Sequence, residues 1–456
     1  MKTKMRFAGG LRTIGGNIVE IVYGNDRVIF DFGRAYNPAD TLLTNAAGRE
    51  GRRVADMLRL GMLPAIDGLY AQADLAQVLA NAPAPPAPPA PFEASVLNTA
   101  VFISHLHLDH MGAIDALAPG VPVYMSQEGA ALHEVIMATG EPPQRQSVRG
   151  VPYGQPVQVG DIAVTFHAVD HDVHGAAAIY VKTPSASYAC SGDIRMHGQY
   201  PEKNHRWVQA MRDASVDYLL MEGTSIWAPR DDGSADNAVQ QLNEGEVPAA
   251  IQAALTQATG VAFFNCYHRN TDRLKALAAA ARATGRTLVL EPATAKVAAA
   301  FFSQGDDDVP AAFCSQSGDR VPTAAPPPYG VLGEQIDVAQ INQNPAAYFV
   351  QNSFAHIFSL IDYDPAGSVY VHTNGIPLGA FDPAYGSMLS FLQTLGIRFA
   401  LVPSTGHGDA EALRSIIDGI APKVLVPWHS TAPEYMTPIN PAQEILLPQE
   451  GVWYER

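Results

Sequence analysis

Three histidines and an aspartate fall within six residues, His105-x-His107-x-Asp109-His110, directly after the apolar run Val101-Phe102-Ile103. In an extended segment residues two apart point the same way, so His105 and His107 present both imidazoles to one side. Asp109 and His110 follow as the chain turns toward a helix expected from Gly112, and meet the same pocket from another edge. Imidazole and carboxylate together suit a borderline divalent ion: zinc first, with manganese or iron as alternatives. Four such side chains exceed what one tetrahedral ion with an open position can use, so two ions sharing one pocket are expected. Further ligands of the same type lie downstream: His171 in VDHDVHGA, Asp193 in CSGDIRMHG and His429 in LVPWHST. Each follows a predicted strand, and Asp193 sits at a turn from which a carboxylate can bridge two ions.

These residues need a scaffold of strands whose ends share one rim. Two strands are predicted over 17–23 and 27–33 around a Gly-Asn-Asp turn, with others at 101–103, 121–124, 162–166, 177–181 and 188–190. From 246 to 302 Ala-rich helices alternate with short strands at 261–264 and 287–290, an α/β pattern. Strands at 368–371, 399–402 and 424–426 follow, with a helix over 410–420. The Pro/Ala tract at 81–91 reads as a polyproline excursion inside a domain, and a second Pro-rich stretch covers 324–330.

The 456 residues, 47% apolar and 16% charged, suit two or three globular domains. No run of 18 uncharged apolar residues occurs, so no membrane span or membrane partner is expected. The N-terminus lacks the apolar stretch of a secretory signal, and the three scattered cysteines suit a reducing compartment, so a cytoplasmic location is expected. A net charge of −16 argues against a protein that coats nucleic acid electrostatically, although it leaves room for an enzyme with a locally positive, metal-bearing cleft.

The HxHxDH motif, the later His171, the Ser-Gly-Asp turn and the strand-end His429 resemble the metallo-β-lactamase fold. That resemblance implies that His105, His107, His171 and Asp193 hold one ion. It implies that Asp109, His110, Asp193 and His429 hold the other, with Asp193 bridging. The order of LLMEGT (219–224), HRNTDRL (268–274), HTNGIPLG (372–379), STGHGDAEALRSII (404–417) and PKVLVPWHS (422–430) is similar to the β-CASP nucleases, ribonuclease J in particular. The implied fold is a metallo-β-lactamase αββα sandwich (1–215 and 396–456) carrying an inserted β-CASP α/β domain (216–395).

By the same resemblance Glu222 is the motif A acid and His407 the motif B histidine. The implied reaction is hydroxide attack on phosphorus in RNA, between two metals about 3.5–4 Å apart. Asp109 would orient the hydroxide, His407 would protonate the departing 3′-oxygen, and Glu222 would hold the His407 tautomer. Ser404 and Gly406 would cradle a phosphate. Asn270 and Arg273 match an Asn-x-x-Arg pattern that meets phosphate or braces a helix. Asn374 belongs to an NGIP segment standing where ribonuclease J has QGEP. The chain also carries Glu222 where that family has Asp, and Ser430-Thr431 where it has Gly-Glu. A homodimer is compatible with the resemblance. Two other readings remain: a DNA nuclease or small phosphodiesterase on the same scaffold, and an inactive RNA-binding or scaffolding subunit. His174 and His197 read as supporting rather than ligating histidines.

Overall fold

The computed structural model describes residues 1–37, 49, 51–79, 88–145, 147–228, 241–302, 311–314 and 335–455. Most of the 81–91 tract and all of 324–330 lie outside the described residues.

The first sheet takes β1 (Lys4–Gly9), β2 (Ile18–Tyr23), β3 (Asp26–Phe30), β4 (Asn98–Phe102), β5 (Val123–Ser126) and β6 (Val148–Val151). The second takes β7 (Pro156–Val159), β8 (Ile162–Ala168), β9 (Ala177–Lys182), β10 (Ser187–Cys190) and β11 (Tyr218–Glu222). A third is built from β12 (Ala262–Cys266), β13 (Thr287–Leu290), β14 (Ala311–Cys314), β15 (Gln335–Ile336), β16 (Tyr348–Gln351), β17 (Val369–Thr373) and β18 (Arg398–Leu401). The chain then returns: β19 (Val424–Trp428) and β20 (Glu444–Ile445) extend the second sheet, and β21 (Trp453–Glu455) closes the edge of the first beside β1.

The strands form because apolar residues alternate on a two-residue period. In β8, Ile162, Val164 and Phe166 are buried while Ala163 and Thr165 are partly exposed. Those three pack with Phe7, Val19, Ile21, Phe30 and Phe102 of the first sheet and with Ile179, Tyr188, Leu220 and Trp428 of the second. The two sheets therefore face each other across one apolar core. On its other face the second sheet is covered by the helices Pro201–Asp213 and Ala410–Ile420. The latter is capped by the Asp409 carboxylate, which accepts from Ala412 N at 2.8 Å, and buries Leu413, Ile416, Ile417 and Ile420 along one stripe. This mixed α/β sandwich is the fold class expected of the sequence. Phe166, with no exposed surface, sits at the centre of the inter-sheet core. Phe166→Ala is expected to cost about 3–5 kcal/mol of stability, readable as a lower midpoint in urea unfolding.

The chain divides into two compact units: Met1–Met196, Tyr200–Gly233 and Gly406–Arg456 form one, His197–Gln199 and Ser234–Thr405 the other. Apart from His197–Gln199, the units change over after Gly233 and after Thr405, where the sequence suggests 216 and 396. The physical reason is strand pairing: β11 runs parallel between β10 and β19, while β18 adds to β17 in the third sheet. In that sheet the strands run parallel in the order β15-β14-β13-β16-β12-β17-β18. The helix expected from Gly112 begins earlier, over Leu108–Met111, because the motif forms its own first turn. His110 N and Met111 N both donate to the His107 carbonyl, at 3.1 and 3.0 Å.

Candidate metal centre

Strand direction explains why distant residues converge. β3, β4, β10, β11 and β19 run in parallel pairs within their sheets, and β8 is related to β10 by two antiparallel steps through β9. Their C-terminal ends therefore open on the same rims, as in open α/β sheets generally. His105 follows β4, His171 follows β8, Asp193 follows β10, Glu222 ends β11 and His429 follows β19. Asp31, just past β3, and His429 both adopt left-handed backbone, with φ of 55° and 48°. For non-glycine residues this costs about 1–3 kcal/mol, and it persists only where surrounding contacts impose it. Here Asp31 N donates to Phe102 O at 2.9 Å and His429 N donates to Gly10 O at 3.1 Å.

The structure brings all seven expected ligands together. His105, His107, His171 and Asp193 present ligand atoms to one point, and Asp109, His110, Asp193 and His429 to a second. His107 Nδ1 is 3.1 Å from both His105 Nε2 and His171 Nε2. Asp193 Oδ2 stands 3.5 Å from His105 Nε2, 3.8 Å from His171 Nε2 and 3.1 Å from His110 Nε2. Asp109 Oδ2 is 3.2 Å from His429 Nε2 and 3.8 Å from His110 Nε2. Ligands about 2.1 Å from a tetrahedral ion lie about 3.4 Å apart, so these spacings fit the donor sets of two ions sharing Asp193.

Hydrogen bonding supports the same fit. Among the described residues, the buried His110 Nε2 and both Asp193 carboxylate oxygens lack a hydrogen-bond partner of proper geometry. Orphaned buried polar atoms are costly unless something else meets them. The outer ring nitrogens are occupied instead. His110 Nδ1 reaches Asp31 Oδ2 at 2.7 Å, and His171 Nδ1 donates to the Gly406 carbonyl at 2.6 Å. His105 Nδ1 meets Ser104 Oγ at 2.9 Å, and His429 Nδ1 meets Thr224 Oγ1 at 2.8 Å. Each contact ties up one nitrogen and aims the other at the centre, the usual way a protein fixes a ligating histidine. Against the opposing effect of burial, the surrounding imidazoles hold Asp193 and Asp109 well below the usual carboxylate range. Burial pushes His171 down to about 4, so its ring is neutral and able to ligate.

Beside the ligands, Glu222, His407 and Asp193 form a third group. His407 Nδ1 lies 3.2 Å from Glu222 Oε1, and its Nε2 points inward, 3.9 Å from Asp193 Oδ2. Burial presses the His407 pKa down, but Glu222 and Asp193 outweigh it and raise it to about 10. The second Glu222 oxygen accepts from Thr224 N at 2.9 Å, so a single turn after β11 holds both His407 and His429.

Gly406 has a steric role. A Cβ there would lie 2.4 Å from Asp172 Oδ1 and 2.5 Å from His171 Cε1. Gly406→Ala is expected to displace His171 and weaken divalent-ion binding at least about tenfold, checked by chelator competition.

Asn270, Arg273, Asn374 and Ser404 lie in the other unit, where each has internal partners. Asn270 caps the helix Thr271–Ala283 by accepting from Arg273 N at 2.9 Å. The buried Arg273 guanidinium forms a two-pronged pair with Glu244, at 2.8 and 2.9 Å, and also donates to Thr373 Oγ1. Ser404 Oγ donates to Glu244 at 2.9 Å, and the Asn374 amide donates to the Ser404 carbonyl. These four residues brace their own unit through Glu244, which no sequence motif had singled out. His197 Nε2 donates to Thr405 O at 3.0 Å in the same unit, and His174 lines a shallow hollow with Tyr153 and Glu128. Sequence reasoning missed Asp31, Asp172 and Thr224 at the centre. The readable signal for Asp31 was a carboxylate at the end of an apolar strand, the same placement as the ligands.

Residues 64–227 match the family described as a beta-lactamase superfamily domain. Ribonuclease J of Mycolicibacterium smegmatis is 26% identical over 201 residues, 41% of this chain and 33% of that protein. Ribonuclease J of Mycobacterium tuberculosis is 29% identical over 194 residues, again 41% and 33%. That of Pyrococcus abyssi is 22% identical over 231 residues, 49% and 46%. The chain thus spans about a third of the length of the first curated relatives it matches. The crystal structure of a protein of unknown function from Enterococcus faecalis matches with a TM-score of 0.79 at 26% identity, over 100% of both chains.

Proposed function

We propose that this chain, which carries a metallo-β-lactamase superfamily domain and is similar to ribonuclease J, is a two-metal phosphodiester hydrolase acting on RNA. The observation that carries the reading is two ligand sets sharing Asp193, with the His407–Glu222 pair standing beside them. The superfamily domain match supports the hydrolase reading, and the curated relatives named ribonuclease J support RNA as the substrate.

Zinc or manganese ions bound there would supply Lewis acidity and water of lowered pKa. The protein's own groups do the rest. His105, His107, His110, His171 and His429 would fix the centre, and the outer nitrogens of His105, His110, His171 and His429 are tethered so that the ligating ones cannot swing. Asp109, held by His429, orients the attacking water toward phosphorus. As the new P–O bond forms, the P–O3′ bond breaks, and His407 Nε2 delivers a proton to the departing oxygen. Glu222 accepts from His407 Nδ1, which leaves Nε2 facing the reacting atoms and stabilises the charged ring. Water provides the oxygen and one proton of the product phosphate; its second proton leaves to solvent and makes good the one His407 gives to the 3′-oxygen, so no oxidant or second substrate is required.

The test compares RNA and DNA of matched sequence, each with 5′-monophosphate or 5′-triphosphate ends, incubated with metal-loaded protein. Cleavage of RNA that exceeds cleavage of DNA and stops with chelator is expected. Preferential DNA cleavage would make it a DNA nuclease, and tight RNA binding without turnover would make it a scaffold.

A further inference from the structure

Residues 10–17 turn the chain from β1 into β2, and both arms of the turn are pinned to the candidate metal centre. On the first arm Gly10 O accepts from His429 N at 3.1 Å, and Leu11 bridges Ser430. On the second arm Gly16 N donates to Asp109 O at 3.0 Å, and a Cβ on Gly15 would lie 2.2 Å from the Asp109 Cβ. Asp109 and His429 belong to the same expected ligand set, with Oδ2 and Nε2 3.2 Å apart. The turn therefore runs from one of these ligands to the other along the rim of that set, with Arg12 and Thr13 at its tip.

Arg12 is the one exposed residue among 10–17. It holds left-handed backbone, with φ of 54°, in a turn whose Gly10, Gly15 and Gly16 adopt positive φ without a side chain to strain. Strain of this kind collects at binding and catalytic sites. The Arg12 guanidinium meets Glu434, its Nη1 lying 3.3 and 3.1 Å from the two carboxylate oxygens. These side chains are 60% and 41% exposed, and so open an ion pair is weakly held and readily exchanged for a better anion.

We propose that Arg12 binds a phosphate of the RNA backbone flanking the scissile one, and that Glu434 holds its guanidinium until substrate arrives. The inference rests on the phosphodiesterase reading above and adds a substrate contact to it. Guanidinium and phosphate match in a two-pronged, charge-assisted pair. A contact to the backbone positions the strand without reading its sequence.

The test uses the metal-loaded full chain. Its affinity for a phosphorothioate-linked RNA oligonucleotide, which keeps the charge and slows hydrolysis, is read by fluorescence anisotropy at several salt concentrations. Turnover is measured on RNA and on bis(p-nitrophenyl) phosphate, which has no flanking phosphate. Arg12→Gln is expected to weaken RNA binding about tenfold and to lower the slope of log affinity against log salt by about 0.7, as for one single-strand phosphate contact. The loss in RNA turnover should lie chiefly in KM, and the loss on the small diester should be much smaller. Glu434→Gln, which frees the guanidinium, should bind RNA at least about twofold more tightly. Arg12→Gly separates binding from bracing. Glycine suits the left-handed backbone, so the urea midpoint should rise while RNA affinity falls as in Arg12→Gln. Equal losses on RNA and the small diester would overturn the proposal, as would an unchanged salt slope. Matching losses in Arg12→Gln and Glu434→Gln would assign the pair to bracing the turn and overturn it too. RNA binding that depends on Arg12, without turnover of either substrate by wild type, would support the contact and overturn the hydrolase reading. Wild type that binds no RNA would overturn both.

Discussion

Replacing His107 by alanine is expected to abolish divalent-ion-dependent hydrolysis, with turnover falling at least about 10³-fold. His107 Nδ1 sits 3.1 Å from both His105 Nε2 and His171 Nε2, at the middle of one ligand set. Its removal leaves two histidines and a carboxylate that the second ion also draws on, one donor short of the four-residue set. Lewis-acid stabilisation is worth several kcal/mol, and each 1.36 kcal/mol is tenfold in rate. The measurement is initial rate on 5′-monophosphorylated RNA at saturating metal, with ion content determined on the same preparation. Full turnover by His107→Ala under those conditions would remove the basis for the two-ion centre.

Replacing His407 by alanine should have a different signature. Neither of the two four-residue ligand sets includes it, and its ring is held from behind by Glu222 at 3.2 Å. Both ions are therefore expected to stay bound while the rate drops about 10²–10⁴-fold, the usual range for a lost proton donor. A substrate whose leaving group needs no proton, such as a p-nitrophenyl phosphodiester, should recover most of that loss. Loss of metal together with rate would show that His407 ligates instead of donating a proton.

The two variants bear on how much of the centre was legible from sequence. The first four ligands are local: alternation along an extended segment and one helical turn place them, and both are readable from spacing. His171, Asp193 and His429 were legible because each sits at a strand end. Asp31 and Thr224 were not, since an aspartate after a strand or a threonine in a turn is ordinary until the fold buries it against His110 or His429. Asp172 was hidden for the same reason, in plain view beside His171. The α/β class and most strands followed from apolar periodicity. Boundaries did not, because pairing decides them: β11 stays with the first unit through its neighbours β10 and β19. Arg273 shows the limit of motif reasoning. Its pattern fits both phosphate binding and bracing, and the opposing carboxylate of Glu244, remote in sequence, engages it in bracing.

Among the described residues no helix is long and apolar enough to cross a membrane. On the proposed reading, the acidic balance of the chain, −16 overall, would place added weight on bound cations for meeting a polyanionic substrate. RNA cleavage should accordingly depend on the divalent ion more steeply than on the charge of surface residues.

Native mass spectrometry of the full chain during manganese or zinc titration tests most directly whether two ions share Asp193. Two ions per chain are predicted, with hydrolysis rising as the second binds, and with Asp193→Ala losing both. Saturation at a single ion with full activity, or no bound ion at all, would contradict it.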